Sequence, residues 1–333
     1  MRLSLSQPIR CSVPGRAGII GNPSDMYGGT VISCAIPLRA RCTLEPAEHL
    51  LFQSPQRTVV PDTLELQGDE FDVCRVALMA LGFTPESAHF ALRIETDIPP
   101  QSGLAGSSAL LTAIVACLLQ AQNESWRSPH HLAERVRRVE AELLKVACGY
   151  QDFYMAVFGG INLMDFRDKE GLGRDADEPL ATVESLQPYL RGVALPLWLA
   201  TTGGTRFSGA VHRSLRERWE SGETAVVEGM AQIARLARRG RTALLEQDWH
   251  TLAQLMNENY AIIRSLGGSG ESLDKLVEVA RAHGALGAKL AGAGGAGGTI
   301  ILLTLEPEKT LSALKPHADK IIPLAPFAPG LIT

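Results

Sequence analysis

The stretch PPQSGLAGSSALLTAIVACLL, residues 99–119, constrains the fold more than any other part of the chain. From Ala109 to Leu119 it carries no charge, so a helix here has no outer face and must be packed on every side. With 333 residues the chain is long enough to build such a core, and long enough for two domains. The helix begins at a glycine loop. Unpaired backbone N–H groups and the positive end of the helix dipole make that start an anion site. Gly103 and Gly106 let a bulky anion approach the backbone closely.

Two readings are open for Ser107 and Ser108 at the helix mouth. One is a hydroxyl ligand for a magnesium ion; the other is plain capping of the helix. A Walker A loop is excluded, because no Gly-Lys occurs in the chain to reach the outer phosphates. Gly292-Ala-Gly294-Gly-Ala-Gly297 satisfies the dinucleotide pattern, but a helical pattern precedes it and the strand TIILLTL follows. That is the reverse of the required context, so hydride transfer is not expected. Glycines this dense imply a loop pressed against a ligand or against another backbone.

A net charge of −4 with scattered basic residues asks for no nucleic acid. The densest basic run, RLARRGRTALL from Arg235, reads as the solvated face of a helix. Cysteines at 11, 34, 42, 74, 117 and 148 form no CxxC pair, which argues for reduced thiols and against a zinc site. The N-terminus MRLSLSQPIRCSVPGR lacks the apolar core of a signal peptide, and ALLTAIVACLL is too short to cross a bilayer. The expected setting is cytoplasmic, with no membrane partner.

Residues 9–45 read as strand, glycine-rich turn and strand, and HFALRIETDI at 89–98 alternates like a half-buried strand. A helix is expected over 128–147, started by Ser128-Pro129, then a strand at INLMDF. RDKEGLGRDADEP reads as a surface loop. GVALPLWLATT opens a second unit, with helical patterns over 208–264 and 271–284 and a helix-then-strand tail. The mixture without strict βαβ repetition predicts an α+β fold divided near residue 190, into 1–190 and 191–333.

Two more segments carry candidate chemistry. VPGRAGIIGNPSDMYGG places Arg16, Asn22 and Asp25 on a tight turn, where Asn22 and Asp25 either bond their own backbone or face a ligand. CGYQDFYMAVFGG sets Asp152 among aromatic and apolar residues, so its carboxylate must be paired or hydrogen-bonded. Glu140, taken alone, reads as an ordinary surface partner on an arginine-rich helix.

Taken in order, PGRAGIIGNPSDMYGG, PPQSGLAGSSAL, CGYQDFYMAVFGG and KLAGAGGAGG resemble the motifs of the GHMP kinases. The resemblance spans essentially the whole chain. It implies a two-domain fold, with a first domain like domain 2 of ribosomal protein S5 and a ferredoxin-like second domain. It also implies ATP and Mg2+. Pro100, Ser102, Gly103, Leu104, Ala105, Gly106, Ser107 and Ser108 would hold the phosphates; Ser108 and Glu140, with Glu142 as substitute, would hold the metal. Asp152 would serve as general base and Arg16 would offset charge on the transferred phosphoryl.

Asn22 and Asp25 correspond to sugar-binding positions, and the third motif, with Gly294 and Gly295, would close over phosphates and acceptor. Lys289 just before that motif is expected to be structural. GNPSDMYGGTVISCAI and SGAVHRSLRERWESGE are similar to the glucuronokinase branch, whose members phosphorylate a uronic acid at its anomeric hydroxyl. The heptose kinases are the nearest competitor. An acidic sugar would need a basic partner, for which His212, Arg213, Arg206 and Arg216 are candidates; exposed helix charges are the other reading. The chain is expected to act as a monomer or homodimer.

Overall fold

The structure is a computed structural model and describes residues 3–169, 180–203, 208–292 and 294–333, with the side chains of 208–213 outside that description. The first half runs β1 (Leu3–Ser4), β2 (Ile9–Ile20), β3 (Thr30–Pro46), β4 (Leu51–Gln53), β5 (Thr58–Val59), α1 (Asp72–Ala80) and β6 (Ala88–Thr96). It continues through α2 (Gly106–Ala121), α3 (Pro129–Glu142), α4 (Gln151–Phe158), β7 (Ile161–Asp165) and β8 (Thr182–Ser185). The second half runs β9 (Leu197–Thr201), α5 (Ser208–Glu220), α6 (Thr224–Leu245), α7 (Trp249–Ser265) and α8 (Glu271–Ala282). It closes with β10 (Ala285–Leu290), β11 (Thr299–Thr304), α9 (Pro307–Leu314) and β12 (Lys320–Pro323).

The two halves build two sheets. The first has the order β5-β4-β6-β3-β7-β8, with β1 on β6 and β2 on β3. Its spine is β3, long enough for Thr30–Cys34 to pair with β7 while Ala40–Pro46 pairs with β6. The second sheet has the order β10-β11-β9-β12, antiparallel throughout, the strand order of a split βαββαβ unit enlarged by extra helices.

The uncharged helix takes the place its composition demands. α2 lies against β2 and β3 and is flanked by α1, α3 and α4. Leu111, Ile114, Val115, Leu118 and Leu119 are fully buried, each contributing roughly 2 kcal/mol of apolar burial. The N-terminus of α2 is thereby immobile relative to the first sheet.

One expected helix is shortened, the helical patterns over 208–264 resolve into separate helices, and the end of the chain takes an added role. The helix expected over 128–147 stops at Glu142, so residues 143–149 form a loop. The helical stretch 208–264 is three helices, broken at Gly222 with φ +76° and by Asp248, whose side chain accepts from Thr251 N and starts α7. The end of the chain also returns to the first sheet. Ile332 and Ser12 exchange backbone hydrogen bonds at 2.8 Å, and Arg39 donates to the carbonyls of Pro329 (2.7 Å) and Gly330 (2.8 Å). The basic run from Arg235 lies on α6 with Arg235 and Arg239 exposed. Most of the segment read as a surface loop at 167–179 lies outside the described residues. Among the described residues no helix is long and apolar enough to cross a membrane, and all six cysteines are free thiols.

Candidate active site

A cleft of about 680 Å3 opens where the N-terminus of α2, the N-terminus of α4 and the turn at Ser24–Tyr27 converge. The loop before α2 is shaped by three residues with positive φ: Gln101 (+54°), Gly103 (+76°) and Ala105 (+63°). Ala105 occupies the N-cap position with no side-chain cap, and the first intrahelical bond of this turn runs from Ala109 N to Ala105 O at 2.9 Å. The amides of Gly106, Ser107 and Ser108 precede that bond and have no partner within the helix. All three residues line the cleft, together with Pro100, Ser102, Gly103 and Ala105. Leu104 does not. Its side chain is fully buried and its carbonyl accepts from Arg16 N at 3.1 Å, so it shapes the loop from behind.

The serines do not cap the helix. Ser107 Oγ donates to Glu140 Oε1 at 2.8 Å and Ser108 Oγ to Glu140 Oε2 at 2.9 Å. Glu140 is 3% exposed, which removes the surface-partner reading, whereas Glu142 lies on the exposed side of α3. Burial pushes the Glu140 carboxyl up to about 7, against the pull of the two hydroxyls. Two hydroxyls and a desolvated carboxylate on one wall of the cleft are the hard oxygen donors a Mg2+ ion takes, so the residues present fit that ion.

Asp152 stands in the first turn of α4 and lines the same cleft. Arg16, 6% exposed, reaches it from β2: Nε donates to Oδ1 at 2.8 Å and Nη2 lies 2.7 Å from the same oxygen. Both of these contacts fall on Oδ1. Arg16 Nη1 donates to the carbonyls of Gly103 (2.8 Å) and Ala291 (3.1 Å). One side chain therefore joins the first, second and third motifs to the carboxylate. α4 itself has no local cap. Asp25 supplies one from a distance, accepting at Oδ2 from Tyr150 N (2.8 Å) and Gln151 N (3.1 Å), and at Oδ1 from Gln151 Nε2 (2.7 Å). Burial and the neighbouring Asp152 raise the Asp25 carboxyl, opposed by those backbone N–H groups. Three bonds leave Asp25 little acceptor capacity for a ligand, though it lines the cleft.

Other expected ligands lie elsewhere. Asn22 is 2% exposed and off the cleft wall; Nδ2 donates to the carbonyls of Leu290 (3.2 Å) and Gly292 (3.0 Å), and Oδ1 accepts from Lys289 Nζ at 2.5 Å. Its polar atoms are spent on seating the third motif. Lys289 is as structural as expected, its Nζ also donating to the carbonyls of Leu290 (2.6 Å) and Gly18 (3.3 Å). Burial holds it well below the ordinary lysine range, with Arg16 acting in the same direction.

The glycine-rich third motif is pressed against backbone. A Cβ at Gly294 would stand 1.8 Å from Gly268 O, and one at Gly270 would stand 2.4 Å from Gly295 O. Gly294 and Gly295 therefore pack on the 267–270 loop, and Gly292 is the motif's glycine on the cleft wall, against Gly103 O. Arg216 is committed to Met26 O (2.8 Å) and Glu220 (2.7 Å) and lies off the cleft wall. Arg206 and the side chains of His212 and Arg213 lie outside the described residues. Sequence reasoning missed Cys148, Gln151 and Lys145 on the wall. Gln151 adjoins Asp152, a signal that was available; Lys145 sat inside an expected helix and carried none.

Comparison with known proteins now bears on this geometry. Residues 72–160 match the family profile described as GHMP kinases N terminal domain, and residues 241–319 the one described as GHMP kinases C terminal. The chain is 35% identical over 308 residues to probable glucuronokinase 2 of Arabidopsis thaliana, covering 84% of this chain and 81% of that one. It is 26% identical to the D-glycero-alpha-D-manno-heptose 7-phosphate kinase of Campylobacter jejuni, covering 92% of each. The fold is similar to that of Lactococcus lactis galactokinase complexed with galactose, with a TM-score of 0.76 at 19% identity, covering 98% of this chain and 95% of that chain. The chain therefore belongs to the GHMP kinase family, as a phosphotransferase with an alcohol group as acceptor.

Proposed function

We propose that this enzyme uses ATP and Mg2+ to phosphorylate a uronic acid such as D-glucuronate at its anomeric hydroxyl, giving the 1-phosphate. The observation that carries the kinase chemistry is the shared cleft. On one wall are the α2 amides with Ser107, Ser108 and Glu140; on the other is the Arg16–Asp152 pair. In this reading the amides of Gly103–Ser108 hold the nucleotide's phosphates, and Ser108 and Glu140 hold the metal. When bound, Mg2+ neutralises phosphate charge.

Asp152 Oδ2 accepts the proton of the attacking hydroxyl as its oxygen bonds to the γ-phosphorus. The bond from that phosphorus to the bridging β–γ oxygen breaks, and ADP leaves with its electron pair. Arg16 holds Asp152 in orientation and offsets charge on the transferring group. No covalent enzyme intermediate is needed.

Support for the uronate comes from the glucuronokinase relative, 35% identical over 84% of this chain. Asn22 lends it none, since its side chain faces the third motif. A coupled ADP-release assay across glucuronate, galacturonate, galactose, heptose phosphate and mevalonate tests the proposal. Turnover on glucuronate is expected, lost in D152N while ATP binding persists. Turnover confined to neutral sugars or heptose phosphate would remove the uronate; full activity in D152N would remove the base.

A further inference from the structure

The loop 143–149 joins the helix carrying Glu140 to the helix carrying Asp152, and Lys145 lies in its middle. Its backbone has φ +54°, a left-handed conformation that costs a non-glycine residue roughly 1 kcal/mol and that glycine adopts freely. The chain therefore keeps a lysine at a position suited to glycine. Lys145 is exposed and lines the cleft. Among the described residues it makes no ion pair or hydrogen bond.

Charge makes the side chain significant. The described cleft wall carries three carboxylates, Asp25, Glu140 and Asp152, and two cations, Arg16 and Lys145. Fully ionised, these five groups leave the wall one negative charge in excess before any ligand enters. Arg16 is already spent on Asp152 and on the carbonyls of Gly103 and Ala291. A nucleoside triphosphate brings about four negative charges, of which a divalent ion offsets two. The α2 amides supply only a fraction of a positive charge. Among the described residues Lys145 is the one cation of the wall with no protein partner to hold it from the remainder.

Placement selects the nucleotide over the acceptor. Val146 N donates to Glu140 O at 3.4 Å, turning the loop back over the end of α3 where Glu140 meets Ser107 and Ser108. Resting on the kinase reading above, we propose that Lys145 binds a phosphate oxygen of the nucleotide, as the mobile cation of the cleft rim. A long ammonium stem suits that role, because it follows the phosphates without needing a fixed fork geometry.

The test separates charge from backbone. In K145G the left-handed position is relieved and only the cation is lost; K145Q loses the cation with the strain kept; K145R keeps the charge. Binding of AMP-PNP with Mg2+ is measured calorimetrically without acceptor, with a melting temperature for each variant. An affinity loss of about tenfold is expected for both K145G and K145Q, with K145R within about twofold of wild type and a weaker salt dependence when the charge is gone. AMP-PNP binding by K145G within twofold of wild type, or a defect confined to the acceptor's KM, would overturn the proposal. Absence of uronate turnover in a wild-type protein that binds AMP-PNP would instead overturn the acceptor reading alone.

Discussion

Glu140 gives the site a measurable pH signature. Its carboxyl is raised from an ordinary 4.5 to about 7, chiefly because it is buried. Between those values the folded state holds a proton that the unfolded chain has released. The stabilisation from the neutral form is therefore complete below about pH 4.5 and is lost as pH rises through 7. At 1.36 kcal/mol per pH unit, the span of roughly 2.5 units amounts to about 3 kcal/mol. Glu140→Gln keeps the shape and removes the titration. Urea unfolding of both proteins from pH 4.5 to 8, with chelator present, reads the difference directly. The wild type should lose about 3 kcal/mol more than the variant across that range. The raised Asp25 carboxyl is common to both proteins and largely cancels in the comparison. Adding Mg2+ with AMP-PNP should restore wild-type stability at pH 8 far more than that of the variant. Parallel profiles, within about 0.5 kcal/mol, would refute the desolvated carboxyl and with it the electrostatic case for a metal at this position.

Two further substitutions test how the third motif is seated. Gly294→Ala forces φ +81° on alanine and drives a Cβ against Gly268 O, so it should cost about 3 kcal/mol or more in unfolding free energy. Asn22→Ala removes the donors to Leu290 and Gly292 and an acceptor of the buried Lys289, for a loss of about 2 kcal/mol. Because Asn22 is off the cleft wall, the KM for the sugar in N22A should stay within about threefold of wild type. A large rise in that KM without loss of stability would put Asn22 back in the acceptor site.

What the amino-acid sequence made legible was whatever is decided locally. The charge-free run of α2 announces a buried helix, and the glycines before it announce a loop open to an anion. Ser128 and Pro129 mark the start of α3, and Ser128 Oγ accepts from His131 N. The resemblance to known kinases then brought Arg16, Ser108, Glu140 and Asp152 into one reading, and all four meet in space. What stayed hidden was the direction in which side chains with long-range partners turn. Asn22 and Asp25 share a turn, yet one faces the third motif and the other reaches α4, residues more than a hundred positions away. Gly294 and Gly292 are alike in sequence and differ in which backbone crosses them. The early end of α3, and with it Lys145, depends on the geometry of the cleft rather than on local propensity.

The Arg16 guanidinium carries one last consequence. It grips a carbonyl in the loop before α2, a helix packed on the first sheet, and a carbonyl just past β10 of the second sheet, along with the carboxylate of α4. A slip of one sheet past the other, even by an ångström, would stretch the Ala291 contact and drag the guanidinium off Asp152 Oδ1. The orientation of Asp152, the proton acceptor proposed above, is thus tied through one guanidinium to the seating of the second sheet against the first.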